Sequence, residues 1–239
     1  MVNGKIRSTF TDFIRNELRN WHWAEIVFMA AAVAAVVVIT LMTGGDNAVG
    51  VISAVTGIMY TLLAGKGKSS CYLFGVVNSF LYGLIAMQSR VYGDMLLNWS
   101  YYLPMQFVGI FFWLRHYDPE KGEVLKKNLS GAGRIIFVLI SLAAWAAFAW
   151  GLSRFNARAP LLDSATTVLS VGAMILSVMR CFEQWICWTL VNLISIFMWY
   201  QIYRTSGNSL ATLIMWGIFL LCGIIFAYRW HIEAGAAKK

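Results

Sequence analysis

Charge is what this chain has least of: 13% of its 239 residues are charged, while 59% are hydrophobic. A soluble domain of this length needs about twice that charge, so a water-soluble globular protein is excluded. Its eleven acidic residues are Asp12, Glu17, Glu25, Asp46, Asp94, Asp118, Glu120, Glu123, Asp163, Glu183 and Glu233. All fall in tails, loops or the first turns of apolar runs, and none lies mid-run, nor does His22, His116 or His231. That leaves no acid–base pair, nucleophile–base set or metal cluster for a membrane enzyme, and no cofactor is expected. It also leaves no buried carboxylate of the kind an ion-coupled carrier usually needs, although backbone carbonyls could hold sodium. The four cysteines, Cys71, Cys181, Cys187 and Cys222, form no C-x-x-C pair. They fit small apolar fillers better than a disulfide frame or zinc site. Gly67-Lys68-Ser69 ends like a phosphate-binding loop, but Leu62 stands where its upstream glycine is required.

What the chain has in quantity is apolar sequence. Runs near 24–43, 48–64, 72–88, 95–114, 134–151, 161–178, 185–203 and 209–228 predict eight transmembrane helices, with seven if the first or second does not cross fully. The first run is too long, and too late after Met1, for a cleaved signal segment. The fold class expected is therefore an all-α polytopic membrane protein.

The net charge of +8 is distributed with a bias. Lys5, Arg7, Arg15, Arg19, Lys66, Lys68, Arg115, Lys121, Lys126, Lys127, Arg134, Arg180, Arg229, Lys238 and Lys239 fall on one side of an eight-span layout. Arg90, Arg154, Arg158 and Arg204 fall on the other. Such an asymmetry places both termini in the cytoplasm and favours contact with acidic lipid over nucleic acid.

An internal repeat organises the chain. Residues 72–115 align with 186–229 without a gap, giving nine identities in 44 positions, including Val77-Asn78 with Val191-Asn192, Arg90 with Arg204, Gly93 with Gly207, Gly109 with Gly223 and Arg115 with Arg229. Repeats in a polytopic membrane protein are the usual trace of a transporter that rocks one half against the other. The layout predicts a cytoplasmic tail (1–23), a peripheral first helix (24–43) and a first three-helix unit (48–114). A polar loop (115–133), a linker helix (134–151), a second three-helix unit (161–228) and a cytoplasmic tail (229–239) follow. An odd linker helix keeps the two units parallel.

Polar residues inside hydrocarbon need partners or a purpose. Trp185, Trp188 and Asn192 stand at i, i+3 and i+7, one stripe of a helix. An amide offers donors and an acceptor, and an indole offers a flat face, so the stripe suits a planar polar ligand. The bland alternative makes Trp185 an interfacial belt residue and Asn192 an interhelical hydrogen bonder. Asn98, Tyr102 and Gln106 recur every four residues around Pro104, which tends to kink a helix. Asn78, the repeat partner of Asn192, fits equally well as glue within its own bundle. Arg90 and Arg204 read as anchors at the outer interface.

The W-x-x-W-x-x-x-N run at Trp185, Trp188 and Asn192, with Asn98-Trp99 and Gln106, resembles the PnuC family of bacterial vitamin transporters over the last seven spans. The resemblance implies a SWEET-like 3+1+3 fold with an extra N-terminal helix, a homotrimer in the inner membrane, and a substrate site between the two bundles. It also implies nicotinamide riboside as substrate, facilitated diffusion, and a cytoplasmic riboside kinase that traps the cargo. Carried over by motif, Trp185 and Trp188 would pack against the ring, and Asn192 and Gln106 would bond its carboxamide or ribose hydroxyls. Thiamine, another small vitamin or a sugar on the same fold is the alternative. A channel-like membrane protein comes after these.

Overall fold

The computed structural model describes residues 11, 13–43, 47–154, 160–206 and 210–236. Lys5, Arg7, Asp12, Asp46, Arg158, Gly207, Lys238 and Lys239 lie outside the described residues. Among the described residues the regular structure is helical apart from one two-stranded hairpin: α1 (Trp23–Thr43), α2 (Ala48–Lys66), α3 (Cys71–Gln88), α4 (Tyr92–Leu96), a π-helical turn (Leu97–Tyr102) and α5 (Leu103–Leu114). After β1 (Tyr117–Asp118) and β2 (Glu123–Val124) come α6 (Gly131–Arg154), α7 (Pro160–Val178), α8 (Gln184–Ser206) and α9 (Leu210–Ala236).

Six of these helices are long and apolar enough to cross a membrane. The other two expected spans are also helical. One is built from α4, the π turn and α5, and the other has an apolar stretch that runs only over Asp163–Val178. Local chemistry sets the boundaries. Asn47 accepts a hydrogen bond from the Gly50 N–H (3.0 Å) and starts α2. Gly67, in the left-handed region at φ 81°, ends it while the Lys68 N–H reaches the Leu63 carbonyl (2.9 Å). α9 runs two turns beyond the apolar sequence, so Arg229, His231 and Glu233, expected in a tail, are helical.

In the core, α2 packs on α3 and α9, α7 on α8 and α5, and α8 on α9. α1 leans on α2 and α9, and α6 on α7. Most of α6 is exposed, including Ile135, Ile136, Leu139 and Ile140, as befits a surface that meets lipid.

The polar loop after α5 is structured. Asp118 accepts backbone hydrogen bonds from Glu120 and Lys121 (3.0 and 3.3 Å), and Gly122 at φ 63° closes the hairpin. Its exit strand then ties down two turns at the same end. The Val124 N–H donates to Gly67 O (2.8 Å), while Lys127 exchanges backbone hydrogen bonds with Arg180 and Phe182 (3.0 and 2.9 Å). The four cysteines are free and buried. Lys68, far from cradling a phosphate, donates to the carbonyls of Asn16, Arg19 and Gly122.

Candidate functional site

The core helices enclose a cavity of about 100 Å³. All seven residues singled out in the sequence line it: Asn78 on α3, Asn98 and Tyr102 on the π turn, Gln106 on α5, and Trp185, Trp188 and Asn192 on α8. Tyr60 and Thr61 (α2), Ser79 and Tyr82 (α3), Met174 and Ser177 (α7), Gln184 (α8), and Met215, Trp216 and Phe219 (α9) complete most of the wall.

The π turn explains how a four-residue spacing stays on one face. An α-helix advances 3.6 residues per turn, so a four-residue stripe drifts around it. Pro104 has no N–H to give the Ser100 carbonyl and its ring crowds that carbonyl. The preceding turn widens instead, with the Leu103 N–H reaching back to Asn98 O. The expected proline kink is thus resolved as a π bulge, a feature often found at functional sites.

The amides divide into two sets. Asn78 donates to the Ser53 carbonyl (2.8 Å), and Asn98 to the Asp94 carbonyl (2.8 Å), so both are partly spent on holding their own bundle. Gln106 donates weakly to Ser79 Oγ (3.4 Å), but its buried carbonyl oxygen has no partner among the described residues. Asn192 is buried and forms no side-chain hydrogen bond to a described residue. An unmade buried hydrogen bond costs about 1–3 kcal/mol, so Gln106 is the amide that a bound molecule would relieve, while Asn192 lines the cavity with its amide uncommitted to any described residue.

The aromatics divide too. Trp185 is 3% exposed and packs on Phe226 and Trp230 (centroids 5.1 and 5.8 Å), an interior position rather than an interfacial belt. Its Nε1–H lacks a partner among the described residues, so it has a donor left to offer. Trp188 is the reverse: its Nε1–H donates to Ser177 Oγ (3.2 Å), Ser177 in turn donates to Gln184, and Tyr102 lies 6.0 Å from its ring. With its N–H satisfied, Trp188 offers the cavity a π surface.

Ser177, Gln184, Tyr60 and Trp216 were not expected from sequence. One signal was available: the 114-residue repeat offset carries Tyr102 onto Trp216. No Lys, Arg, His, Asp or Glu is among the cavity-lining residues described, and no group of metal-ligating side chains is found among the described residues.

Comparison with known proteins follows the same lines. Residues 47–232 match a family described as "Nicotinamide mononucleotide transporter". The chain is 32% identical over 187 residues to "Nicotinamide riboside transporter PnuC" of Neisseria mucosa, covering 77% of this chain and 71% of that protein. It is 30% identical over 212 residues to the protein of the same name from Haemophilus influenzae, covering 88% and 90%. A solved structure described as "Crystal structure of the Vitamin B3 transporter PnuC" superposes with a TM-score of 0.84 at 29% identity, covering 94% of this chain and 97% of that one.

Proposed function

This chain belongs to the PnuC family of membrane transporters and is not an enzyme, and we propose that it carries nicotinamide riboside across a bacterial inner membrane by facilitated diffusion. The observation that carries the choice of cargo is the uncharged cavity wall. The family is described by the mononucleotide and the relatives by the riboside. A phosphate dianion would enter this cavity without a Lys, Arg or His to meet it, at severe desolvation cost. The riboside brings only a pyridinium cation, a carboxamide and hydroxyls. Indole and phenol faces at Trp188 and Tyr102 favour the cation by up to about 2 kcal/mol in a desolvated site. Gln106 and Asn192 pair with the carboxamide or ribose, Trp185 supplies an N–H donor, and Asn78 and Asn98 shape the wall.

The transport cycle proposed is alternating access between two parallel three-helix units, α2–α5 and α7–α9, joined by α6 in a 3+1+3, SWEET-like layout with α1 outside it. Supporting this, α2 packs on α9 and α5 on α7, two seams that exchange under the repeat offset, as a two-fold axis along the membrane normal requires. Tyr60 and Met174, which correspond under that offset, meet across the cavity at 4.0 Å. The hairpin end of the molecule is cytoplasmic, because it holds most of the Lys and Arg. An uncoupled carrier needs a sink, which a cytoplasmic riboside kinase provides. A homotrimer in the bilayer completes the proposal.

Calorimetric titration of the detergent-purified protein tests the cargo, with thiamine and nicotinamide mononucleotide as comparisons. Saturable binding of the riboside alone, weakened about tenfold or more in Trp188→Ala and Asn192→Ala, is expected. Binding of thiamine without the riboside overturns the assignment.

A further inference from the structure

One carboxylate stands close behind the uncharged wall. Asp94, in the first turn of α4, accepts a hydrogen bond from the Tyr82 hydroxyl at Oδ2 (2.9 Å). Tyr82 is 3% exposed and lines the cavity. The same hydroxyl oxygen accepts from the fully buried Trp199 Nε1–H (2.7 Å). An indole can only donate, so the single phenolic proton is committed to Asp94, and the carboxylate is its acceptor. One turn on, the cavity-lining Asn98 donates to the Asp94 backbone carbonyl (2.8 Å). Two cavity residues are therefore fastened to Asp94.

Among the described residues Asp94 forms no ion pair, and Arg90, Arg154 and Arg204, the described arginines at this end of the bundle, are exposed. Asp163 opens α7 at the same end of the bundle and adds negative charge there. A half-buried carboxylate with an unspent charge is costly unless something positive visits it.

Resting on the cargo assigned above, we propose that Asp94 is a positioning residue for the cargo's positive charge. It acts through Tyr82 and makes the site select cationic over neutral rings. The carboxylate polarises the phenol that faces the cavity, so the wall presents negative potential without a charged group in contact with the cargo. That arrangement attracts a pyridinium and still lets it leave, because no direct ion pair has to break. Asp94 also lies at the end of the bundle opposite the basic hairpin, the side from which an imported molecule arrives.

The experiment compares nicotinamide riboside with its reduced form, in which the ring is an uncharged dihydropyridine of nearly the same shape. Both are titrated into wild type, Asp94→Asn and Asp94→Glu. Wild type is expected to favour the cation. Asp94→Asn is expected to weaken cation binding about tenfold, equal to about 1.4 kcal/mol, and to leave the reduced form almost unchanged. Asp94→Glu keeps the charge and is expected to keep the preference. Equal losses for both forms in Asp94→Asn mean a merely structural role and overturn the proposal, as does no loss for either. Equal binding of both forms by wild type overturns it without any variant, which covers the case of an Asp94→Asn protein that does not fold. Wild type that binds neither form overturns the cargo assignment itself.

Discussion

At the scale of single residues, the site depends on absences of side chain as much as on amides and rings. A Cβ on Gly75 would stand 2.2 Å from Gln106 Oε1, far inside contact distance, so Gly75 is what lets the Gln106 amide lie against α3. Gly75→Ala is expected to push that amide out of place and weaken riboside binding about tenfold, and to lower the thermal midpoint as well, because the Tyr60 ring, 2.9 Å from the added Cβ, must also shift. Titration and a melting curve on the same preparation check both halves. Outside the membrane, Glu17 accepts from the Ser69 N–H (3.1 Å) and the Ser70 hydroxyl (2.6 Å), and burial raises its pKa above 4.5 against the lowering effect of those bonds and of Lys68. The folded state therefore holds this proton more tightly than the unfolded state does. Stability from this group is present below pH 4.5 and is lost as pH rises through the folded pKa. Melting midpoints across that window are expected to fall with rising pH in wild type and to fall less steeply in Glu17→Gln. Much of the cavity was legible at this scale because Trp, Asn and Gln are conspicuous in apolar sequence and share helical spacing. Ser177 and Tyr60 were not, since a lone serine or tyrosine in a span carries no sign of which face it occupies. Gln184, the first residue of α8, lay one position before its expected span, because the apolar pattern does not encode where a helix begins.

At the scale of elements, apolar runs located all eight helical stretches to within a few residues, apart from α9, because burial in hydrocarbon demands length and little else. What they could not locate was every capped or charged end. α9 continues past its apolar stretch because Arg229 and Glu233 pair along the helix (2.7 Å), an i, i+4 contact that supports further turns. The hairpin was also missed: its strands are two residues each, too short for alternation to register. The break between α4 and α5 shows the limit most clearly. Pro104 announced a disturbance, but whether a proline yields a kink or a π bulge depends on how the turn before it repacks. Pro104→Ala restores an N–H that can bond Ser100 O and favours regular α-helix through this stretch. Removing the bulge rotates Asn98 by roughly 80° relative to Gln106, to the edge of the face that the stripe shares. The expected outcome is helix content unchanged or slightly higher by circular dichroism, with riboside affinity reduced at least tenfold. Unchanged affinity would mean that the bulge is shaped by the surrounding bundle and not by the proline.

At the scale of the whole molecule, charge is scarce in the core and concentrated at one end. Lys66 at the end of α2, Lys126 after the hairpin and Arg229 on α9 face Glu25 on α1, Glu123 on β2 and Glu233 on α9, three cations against three anions. Lys66 meets Glu25 at 2.7 Å and Glu123 at 3.7 Å, and Arg229 meets Glu25 at 2.6 Å and Glu233 at 2.7 Å. Lys126 bridges Glu123 (2.9 Å) and Glu233. The network ties the α2–α9 seam to α1 and the hairpin. At the α5–α7 seam the ties are hydrogen bonds alone, from Trp113 Nε1 to the Ser177 carbonyl (2.9 Å) and from the Tyr101 hydroxyl of the adjoining π turn to the Val171 carbonyl (2.9 Å), with no ion pair across it among the described residues. Two seams alike in the repeat are therefore unlike in strength, an asymmetry that an alignment of apolar residues could not reveal because the hairpin that supplies Glu123 and Lys126 belongs to neither copy. Glu123 touches all three cations, and Lys66 and Lys126 are each 4% exposed. Glu123→Gln removes the shared anion and leaves buried ammonium groups short of a counter-charge, so a loss of about 1–3 kcal/mol is expected. Thermal melting in detergent measures it, with Glu120→Gln, an exposed carboxylate of the same hairpin, expected to melt like wild type. Because the Lys66 and Lys126 ammonium groups are shielded from solvent, the loss should persist at high salt, where an exposed pair would already be screened. A difference that vanished in high salt would place the network at the surface and leave the two seams equally free to open.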